Sequence, residues 1–152
     1  MFRKAVLTDC RQVYSLICDM ENRQLPYDRF CEIYERQLAD EMYYCLVCEL
    51  YNQVIGMLNL RFESQLHHTA VIAEIMEFAI HSGCRNRGIG KAMLREACAA
   101  AAAFGCTQIE VACNQLRTDT HRFYLREGLR NFHFKFSKAL TEEDVSENYI
   151  GR

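Results

Sequence analysis

A run of basic and glycine residues, from Arg85 to Lys91, stands where a strand-like apolar segment ends and a helical pattern begins. Gly88 and Gly90 carry no side chain that would keep a ligand away from the backbone. The first amides of the following helix have no partner inside that helix, and the helix dipole places positive charge at this end. Together with the cations of the run, these groups predict a site for a diphosphate-like anion. The alternative is a tight strand-to-helix turn with a solvated basic rim.

Two carboxylates, Glu74 and Glu77, interrupt the apolar pattern of the preceding strand-like segment, residues 70–81. Burying an unpaired charge is costly, so either a bulge or a splay turns these side chains into a cleft, or they lie on a solvated face. A carboxylate in a partly apolar cleft has a raised pKa and suits a general base. Either glutamate is a candidate for that role, and a surface or salt-bridged carboxylate is the alternative for both.

The 152 residues carry a formal net charge of -2, and half of them are apolar. This length predicts one domain with a single substantial core. The charge gives no general attraction to nucleic acid or to a membrane surface, and no apolar run approaches the roughly 20 residues that span a bilayer. The N-terminal residues lead into a predicted strand without a signal-like apolar region, so the expected location is the cytoplasm.

Nine cysteines are scattered along the chain. Without a secretion signal they are expected to be reduced and mostly buried. Cys45 and Cys48 form a Cys-x-x-Cys pattern, but they lie inside a predicted strand, where residues three apart point to opposite faces. The pair is therefore predicted to pack in the core and not to bind zinc or exchange disulfides.

Hydrophobic periodicity predicts the order strand, two helices, three strands, helix, strand, helix, strand. The strands are expected at Phe2–Leu7, Tyr43–Leu50, Val54–Phe62, Ala70–His81, Gln108–Cys113 and Phe132–Phe136. The third and fourth helices are expected at Ile89–Phe104 and Thr118–Glu127, each followed by a glycine. This pattern predicts a single α/β domain over residues 1–140, followed by a polar tail, 141–152.

Local signals fix three details of this prediction. Thr8 and Asp9 are the expected N-cap of the first helix, and Pro26 suits the first turn of the second. Phenylalanines alternate with polar residues between Phe132 and Phe136, which predicts a half-buried final strand. A dinucleotide-binding fold would open with its glycine turn, and a Walker loop would continue with Gly-Lys-Ser/Thr, so both are excluded.

The pattern Arg85-x-x-Gly88-x-Gly90 resembles the acyl-CoA signature of the GCN5-related N-acetyltransferase (GNAT) family. Two further segments resemble that family in the same order: 78–80 just before the turn, and 123–129, which is similar to its Phe-Tyr-x-x-x-Gly-Phe segment. The resemblance implies a GNAT fold, a mixed and mostly antiparallel twisted sheet flanked by helices. Asn86 stands where the family often has Gly, but Asn tolerates the left-handed backbone. Arg117 stands where the family has Asn.

This resemblance implies acetyl-CoA as co-substrate and an N-acetyltransferase activity toward a primary amine. The implied coenzyme contacts are Phe78, Ala79, Ile80, Arg85, Asn86, Arg87, Gly88, Ile89, Gly90 and Lys91, the first three through backbone groups. It also places the hydroxyl of Tyr124 near the coenzyme sulfur, as proton donor to the leaving thiolate. The alternative for Tyr124 is a core position with a satisfied hydroxyl.

Direct transfer needs a neutral amine, and an alkyl ammonium with a pKa near that of lysine, about 10.4, is neutral in roughly one part in a thousand near pH 7. A base such as Glu77 or Glu74 is therefore useful. Within the family, the segment 121–128 and the Leu66-His67-His68 link are most similar to bacterial aminoalkylphosphonate N-acetyltransferases. That similarity implies an aminoalkylphosphonate acceptor.

Three histidines, His67, His68 and His121, are then candidates to bind a phosphonate or, with Glu77, a divalent metal. A loop histidine pair without chemistry is the alternative. Other acceptors stay open: a polyamine, an antibiotic or a protein N-terminus. A non-catalytic module that senses acyl-CoA also stays open. Because the family frequently pairs through C-terminal strands, a homodimer is a further expectation.

Overall fold

The computed structural model describes residues 1–144. Within that range, the strands are β1 (Phe2–Lys4), β2 (Tyr43–Leu50), β3 (Gln53–Gln65), β4 (Ala70–Ile80) and β5 (Ile109–Val111). The helices are α1 (Cys10–Glu21), α2 (Tyr27–Leu38), α3 (Ile89–Phe104) and α4 (Thr118–Arg126). No helix among residues 1–144 is long and apolar enough to cross a membrane.

The five strands form one mixed sheet in the order β1-β2-β3-β4-β5. The first four are antiparallel to their neighbours, and β5 runs parallel to β4. Tyr51 and Asn52 join β2 to β3 with positive φ angles of 50° and 60°, as a tight two-residue hairpin requires. The predicted hairpin and the mixed, mostly antiparallel α/β sheet are confirmed.

Helices cover both faces of the sheet and create two apolar cores. The α1/α2 face buries Val13, Leu16, Ile17 and Tyr34 against β2, β3 and β4, and the α3 face buries Met93, Leu94 and Ala97. Cys45 belongs to the first core and Cys48 to the second, both as free thiols. This is the arrangement that the strand period predicts for residues three apart.

The start of α1 differs from the prediction, because Asp9 occupies the N-cap position without making a side-chain cap. Its carboxylate accepts hydrogen bonds from both terminal nitrogens of Arg3, at 2.8 and 2.9 Å, and from the backbone amide of Val6 at 2.8 Å. The Arg3 guanidinium lowers the pKa of the buried Asp9 carboxyl. Asp9 therefore ties α1 to β1, since a nearby guanidinium is a stronger partner than a helix amide.

A bulge at Met76 interrupts β4. Asn59 pairs with Glu77 and Leu60 pairs with Ile75, so Met76 is an extra residue in the ladder. Ile75 packs on the α3 side, and plain alternation would put Glu77 there too. The extra residue instead turns Glu77 to the α1/α2 face.

Beyond the bulge, β4 separates from β5. The two strands pair only over residues 73–75 of β4, so the β4 edge from Met76 to Ile80 has no strand partner on that side within residues 1–144. Both a bulge and a splay are therefore present in β4, which is one of the two alternatives that the carboxylates left open.

The predicted final strand is wrong. Residues 132–136 form no strand, and Phe132, Phe134 and Phe136 are 75%, 78% and 90% exposed. Alternation of apolar and polar residues is a property of one segment alone, whereas a strand also needs a neighbouring strand to pair with. Within residues 1–144 this segment pairs with no strand. Of the predicted tail, residues 145–152 lie outside the described residues.

Candidate active site

The turn between β4 and α3 has the backbone that an anion site needs. Gly88 precedes α3 with a φ of 78°, in the left-handed region that glycine adopts without strain. Asn86 has a φ of 61°, so it takes the left-handed conformation expected of an Asn in place of Gly. No side chain among the described residues caps the helix start. The first amides of α3 are therefore available to a ligand.

Gly90 allows the first turn of α3 to pack closely between β4 and α4. A Cβ at this position would lie 3.3 Å from Ile80 Cδ1 and 3.6 Å from Phe123 Cζ. The Nε of Arg85 also donates to the carbonyl oxygen of Ile80, at 3.3 Å. These contacts bring together the end of β4, the basic turn and α4, three segments that the sequence predicted to act together.

Beyond the bulge, the open edge of β4 lies next to α4. The rings of Phe78 and Phe123 meet edge to face, with their centres 6.2 Å apart. Because β5 no longer pairs here, backbone groups of residues 76–79 on that edge are available for hydrogen bonds to an extended ligand.

Tyr124 follows Phe123 on α4 and is 9% exposed. Burial raises its pKa to about 12, so the hydroxyl keeps its proton at neutral pH. The buried tyrosines Tyr14 and Tyr34 donate to the carbonyl oxygens of Leu25 and Val6, both at 2.7 Å. Within residues 1–144 the Tyr124 hydroxyl has no such partner, so it differs from a satisfied core tyrosine.

A cavity of about 190 Å³ lies on the other side of Glu77, between the helices α1 and α2 and the sheet. Its apolar wall includes Ile17, Leu25, Phe30, Ile33 and Leu38. Gln37, Asn59 and Glu77 contribute polar groups. Lys4 also lines it, but its ammonium lies 5.7 Å from the ring centre of Tyr44, which packs against the α3-side core.

Glu77 lies in the open segment of β4, residues 76–80, and its side chain lines the cavity. Burial raises the pKa of the Glu77 carboxyl, a hydrogen bond from Asn59 at 3.0 Å opposes that effect, and the charge of Glu21 adds to it. The carboxylate therefore has the environment of a general base.

Glu74 faces the same side of the sheet but has a different partner. Its carboxylate accepts a hydrogen bond from Arg61 Nη2 at 2.8 Å, and the same nitrogen lies 3.6 Å from Glu63. Two residues of strand rise separate the Arg61 and Asn59 positions, about 7 Å. Glu74 thus sits in an ion-pair cluster next to the cavity.

The three candidate histidines do not come together. His67 and His68 lie in the turn between β3 and β4, about 20 Å from the Asn59–Glu77 pair by strand rise. His121 is on α4, one turn before Tyr124, with its Nε2 at 2.8 Å from the carbonyl oxygen of Asn114. Among residues 1–144 there is no group of three or more His, Cys, Asp or Glu side chains that would hold a metal ion.

Sequence reasoning missed Asn59 and Gln37. Asn59 is the single polar residue in the apolar run Val54–Leu60, and a polar residue at a buried strand position requires a partner. That interruption was the available signal. The sequence pattern places Gln37 on a polar surface of its helix, and its contact with Asn59 is visible only in the folded structure.

Comparison with known proteins agrees with this geometry. The profile of the family described as Acetyltransferase (GNAT) family matches residues 7–129, and the chain belongs to that family. It is an acetyl-CoA-dependent acyltransferase. Over 138 residues it is 36% identical to an aminoalkylphosphonate N-acetyltransferase of Salmonella typhimurium. This alignment covers 91% of this chain and 90% of that protein.

Solved structures show the same fold. A transcriptional regulator from Bacillus halodurans aligns with a TM-score of 0.85 at 23% identity, over 92% of this chain and 99% of that one. A GNAT family acetyltransferase from Staphylococcus aureus aligns with a TM-score of 0.78 at 20% identity, over 92% and 98%. The expected single-domain GNAT fold is confirmed.

Proposed function

We propose that this enzyme transfers acetyl directly from acetyl-CoA to a small primary amine, with an aminoalkylphosphonate as the leading acceptor. The position of Glu77 carries the proposal, because this partly buried carboxylate lines the cavity and belongs to the open segment of β4. The named relative at 36% identity supports the acceptor class.

Glu77 accepts the proton of the acceptor ammonium and leaves a neutral amine. Its raised pKa lies nearer the operating pH than that of an ordinary carboxyl, which improves a general base. Glu74 is the weaker candidate because Arg61 already occupies its carboxylate. We therefore assign the base role to Glu77.

Coenzyme binding is assigned to the basic turn and to β4. The amides from Gly88 to Lys91, with Arg85 and Arg87, hold the diphosphate, and backbone groups of residues 78–80 hold the pantetheine arm. A backbone amide of that segment polarises the thioester carbonyl, and such a fixed dipole needs no particular side chain. The amine nitrogen then bonds to the carbonyl carbon while the carbon–sulfur bond breaks, and the proton that the new amide nitrogen loses is taken up by the departing thiolate, which leaves as the thiol.

Tyr124 stabilises the departing sulfur. A thiol has an ordinary pKa of about 8.5, so complete proton transfer from a phenol with a pKa of about 12 runs uphill. A hydrogen bond to the developing thiolate is therefore the larger contribution. Hydrogen bonds to charged groups contribute about 1.5–3 kcal/mol, equivalent to roughly 10- to 150-fold in rate.

His121, on α4 one turn before Tyr124, is the proposed contact for the phosphonate end of the acceptor. His67 and His68 would serve only an acceptor long enough to bridge about 20 Å from Glu77. The candidate metal ligands do not form a group, so no step of this mechanism runs through a divalent metal.

A thiol-release assay tests the function. Purified enzyme is incubated with acetyl-CoA and one of a panel of amines, with and without Mg²⁺ or a chelator. The panel contains aminomethylphosphonate, 2-aminoethylphosphonate, a polyamine, an aminoglycoside and a peptide with a free N-terminus. We expect the phosphonates to give the highest kcat/KM. If they release no more thiol than buffer while another amine does, the acceptor assignment is wrong.

Substitution Tyr124→Phe separates an enzyme from an acyl-CoA sensor. We expect kcat to fall about 10- to 150-fold, with little change in acetyl-CoA affinity by calorimetry, because the lost hydrogen bond acts on the leaving sulfur. A matched substitution, Tyr51→Phe, changes a fully exposed hydroxyl in the β2–β3 turn and should leave kcat unchanged. Equal rates for Tyr124→Phe and wild type would favour the sensor.

Two further properties belong to this proposal. The exposed phenylalanines of residues 132–136 support a homodimer in which this segment meets a second copy. Sedimentation of the wild type should show a dimer that the triple substitution Phe132→Ser, Phe134→Ser and Phe136→Ser weakens, and a monomeric wild type would contradict it. The nine cysteines, free where the structure describes them, support a cytoplasmic location.

A further inference from the structure

Asn59 is a buried amide in the middle of the sheet. It is 6% exposed and lies on β3 in one row with Cys45 of β2 and Glu77 of β4. The other buried side chains of β3 are apolar. A polar group at such a position is stable only with hydrogen-bond partners.

The partners of Asn59 come from two different elements. Its Nδ2 donates to Glu77 Oε2 at 3.0 Å and to Gln37 Oε1 of α2 at 2.9 Å. An ionised carboxylate only accepts hydrogen bonds, so the amide nitrogen must face Glu77. The two N–H groups diverge, and the contacts to α2 and β4 together fix the plane of the amide.

We propose that Asn59, itself held by Gln37, is the positioning residue for the base Glu77. The inference rests on the proposed function of Glu77. Asn59 engages Oε2 of the carboxylate and so leaves Oε1 for the acceptor ammonium. Because Gln37 lies on α2, which walls the cavity, the same bridge couples the cavity wall to the orientation of the base.

The bridge also sets the proton affinity of the base. Burial and the charge of Glu21 raise the pKa of Glu77, whereas the Asn59 N–H stabilises the carboxylate and lowers it. The other groups around it are Cys45 on β2, Tyr34 and Tyr43 at the cavity, and the charged Arg61–Glu74 pair. Burial raises the pKa of Cys45 to about 12 and also raises that of Tyr34, so these two stay neutral in the working range.

Kinetics of Asn59→Ala against pH test the inference. Losing a hydrogen bond to a charged group should move the acidic limb of kcat/KM upward by about one to two pH units. We expect kcat near pH 7 to fall about tenfold, with the acetyl-CoA KM unchanged. Gln37→Leu should move the limb in the same direction by less than one unit. Asn131→Ala, an exposed loop residue, is the matched control and should behave as wild type.

The outcomes separate the inference from the proposed function. If Glu77→Gln abolishes the limb but Asn59→Ala and Gln37→Leu leave it at the wild-type pH, the positioning role is wrong and the base remains. If the wild type acetylates no amine, or Glu77→Gln keeps the limb, the proposed function fails. If circular dichroism shows that Asn59→Ala does not fold, Gln37→Leu and Asn59→Ser decide instead. Asn59→Ser keeps a hydrogen-bond donor and must shift the acidic limb of kcat/KM by less than one pH unit.

Discussion

Glu74 and Glu77 lie close together on the same strand and face the same side of the sheet, yet their partners on β3 differ. Arg61 pairs with Glu74 and Asn59 pairs with Glu77. The guanidinium compensates the charge of Glu74, whereas the amide of Asn59 leaves the charge of Glu77 in place. Under the proposed function, the partner on β3 therefore decides whether a carboxylate serves as a structural ion pair or as a base.

Burial strengthens the contrast. The Arg61–Glu74 pair is about a quarter to a third exposed, and pairs of that kind contribute at most about 1 kcal/mol to stability. Glu77 instead lines an apolar cavity, where an uncompensated carboxylate favours proton uptake. In the proposed mechanism this carboxylate removes a proton from the acceptor ammonium, and such perturbed groups cluster at functional sites.

Exchange of each carboxylate for an amide gives the largest expected effect. Glu77→Gln should lower kcat/KM for the acceptor about 10²- to 10³-fold, because a general base contributes 10² to 10⁴. Glu74→Gln is the matched control on the same strand and should stay within about threefold. Steady-state kinetics with saturating acetyl-CoA measure both. Equal losses in the two variants would break the comparison.

The pH dependence of the two variants gives the next effect. As pH falls, wild-type kcat/KM should decline while still above the ordinary glutamate pKa of 4.5, because burial raises the pKa of Glu77. Glu74→Gln should keep this limb, and the residual rate of Glu77→Gln should lack it. If the acidic limb of kcat/KM disappears in Glu74→Gln, then Glu74 and not Glu77 is the base.

Thermal stability gives the smallest effect, with opposite signs. The pKa of Glu77 is higher in the folded state than in the unfolded state, so its ionisation destabilises the fold. This destabilisation begins once the pH exceeds the unfolded-state pKa and is complete above the folded-state pKa. Glu77→Gln should therefore raise Tm at pH 7 by a few degrees. Glu74→Gln removes an ion-pair partner of Arg61 and should lower Tm by about 2–4 °C. Differential scanning calorimetry distinguishes the signs, and a lower Tm for Glu77→Gln would contradict this energetic account.

Much of the fold follows from local sequence signals. β2 and α3 have the predicted bounds because turn residues and Gly105 mark their ends. The final strand at residues 132–136 was wrong because pairing depends on another segment, which alternation does not report. Asp9 does not cap α1 because Arg3, six residues away, is the stronger partner.

The site was less predictable than the fold, for the same reason. The left-handed Asn86 and the glycine turn followed from local backbone preferences. The carboxylates in residues 70–81 indicated a bulge or a splay, but not that Met76 is the extra residue that turns Glu77 to the α1/α2 face. The bridge between Asn59 and Gln37 joins residues 22 positions apart and needs the packed helix layer.

The role of Glu77 as the base depends on the pH at which its carboxyl ionises, and NMR measures that pH. In full-length enzyme labelled with ¹³C at the glutamate carboxyls, the Glu77 signal is identified by its absence from Glu77→Gln and is then followed against pH. The account predicts a midpoint above the ordinary value of 4.5, and one that rises further in Asn59→Ala. A Glu77 midpoint at or below 4.5 in the wild type would contradict the assignment of this carboxylate as the base.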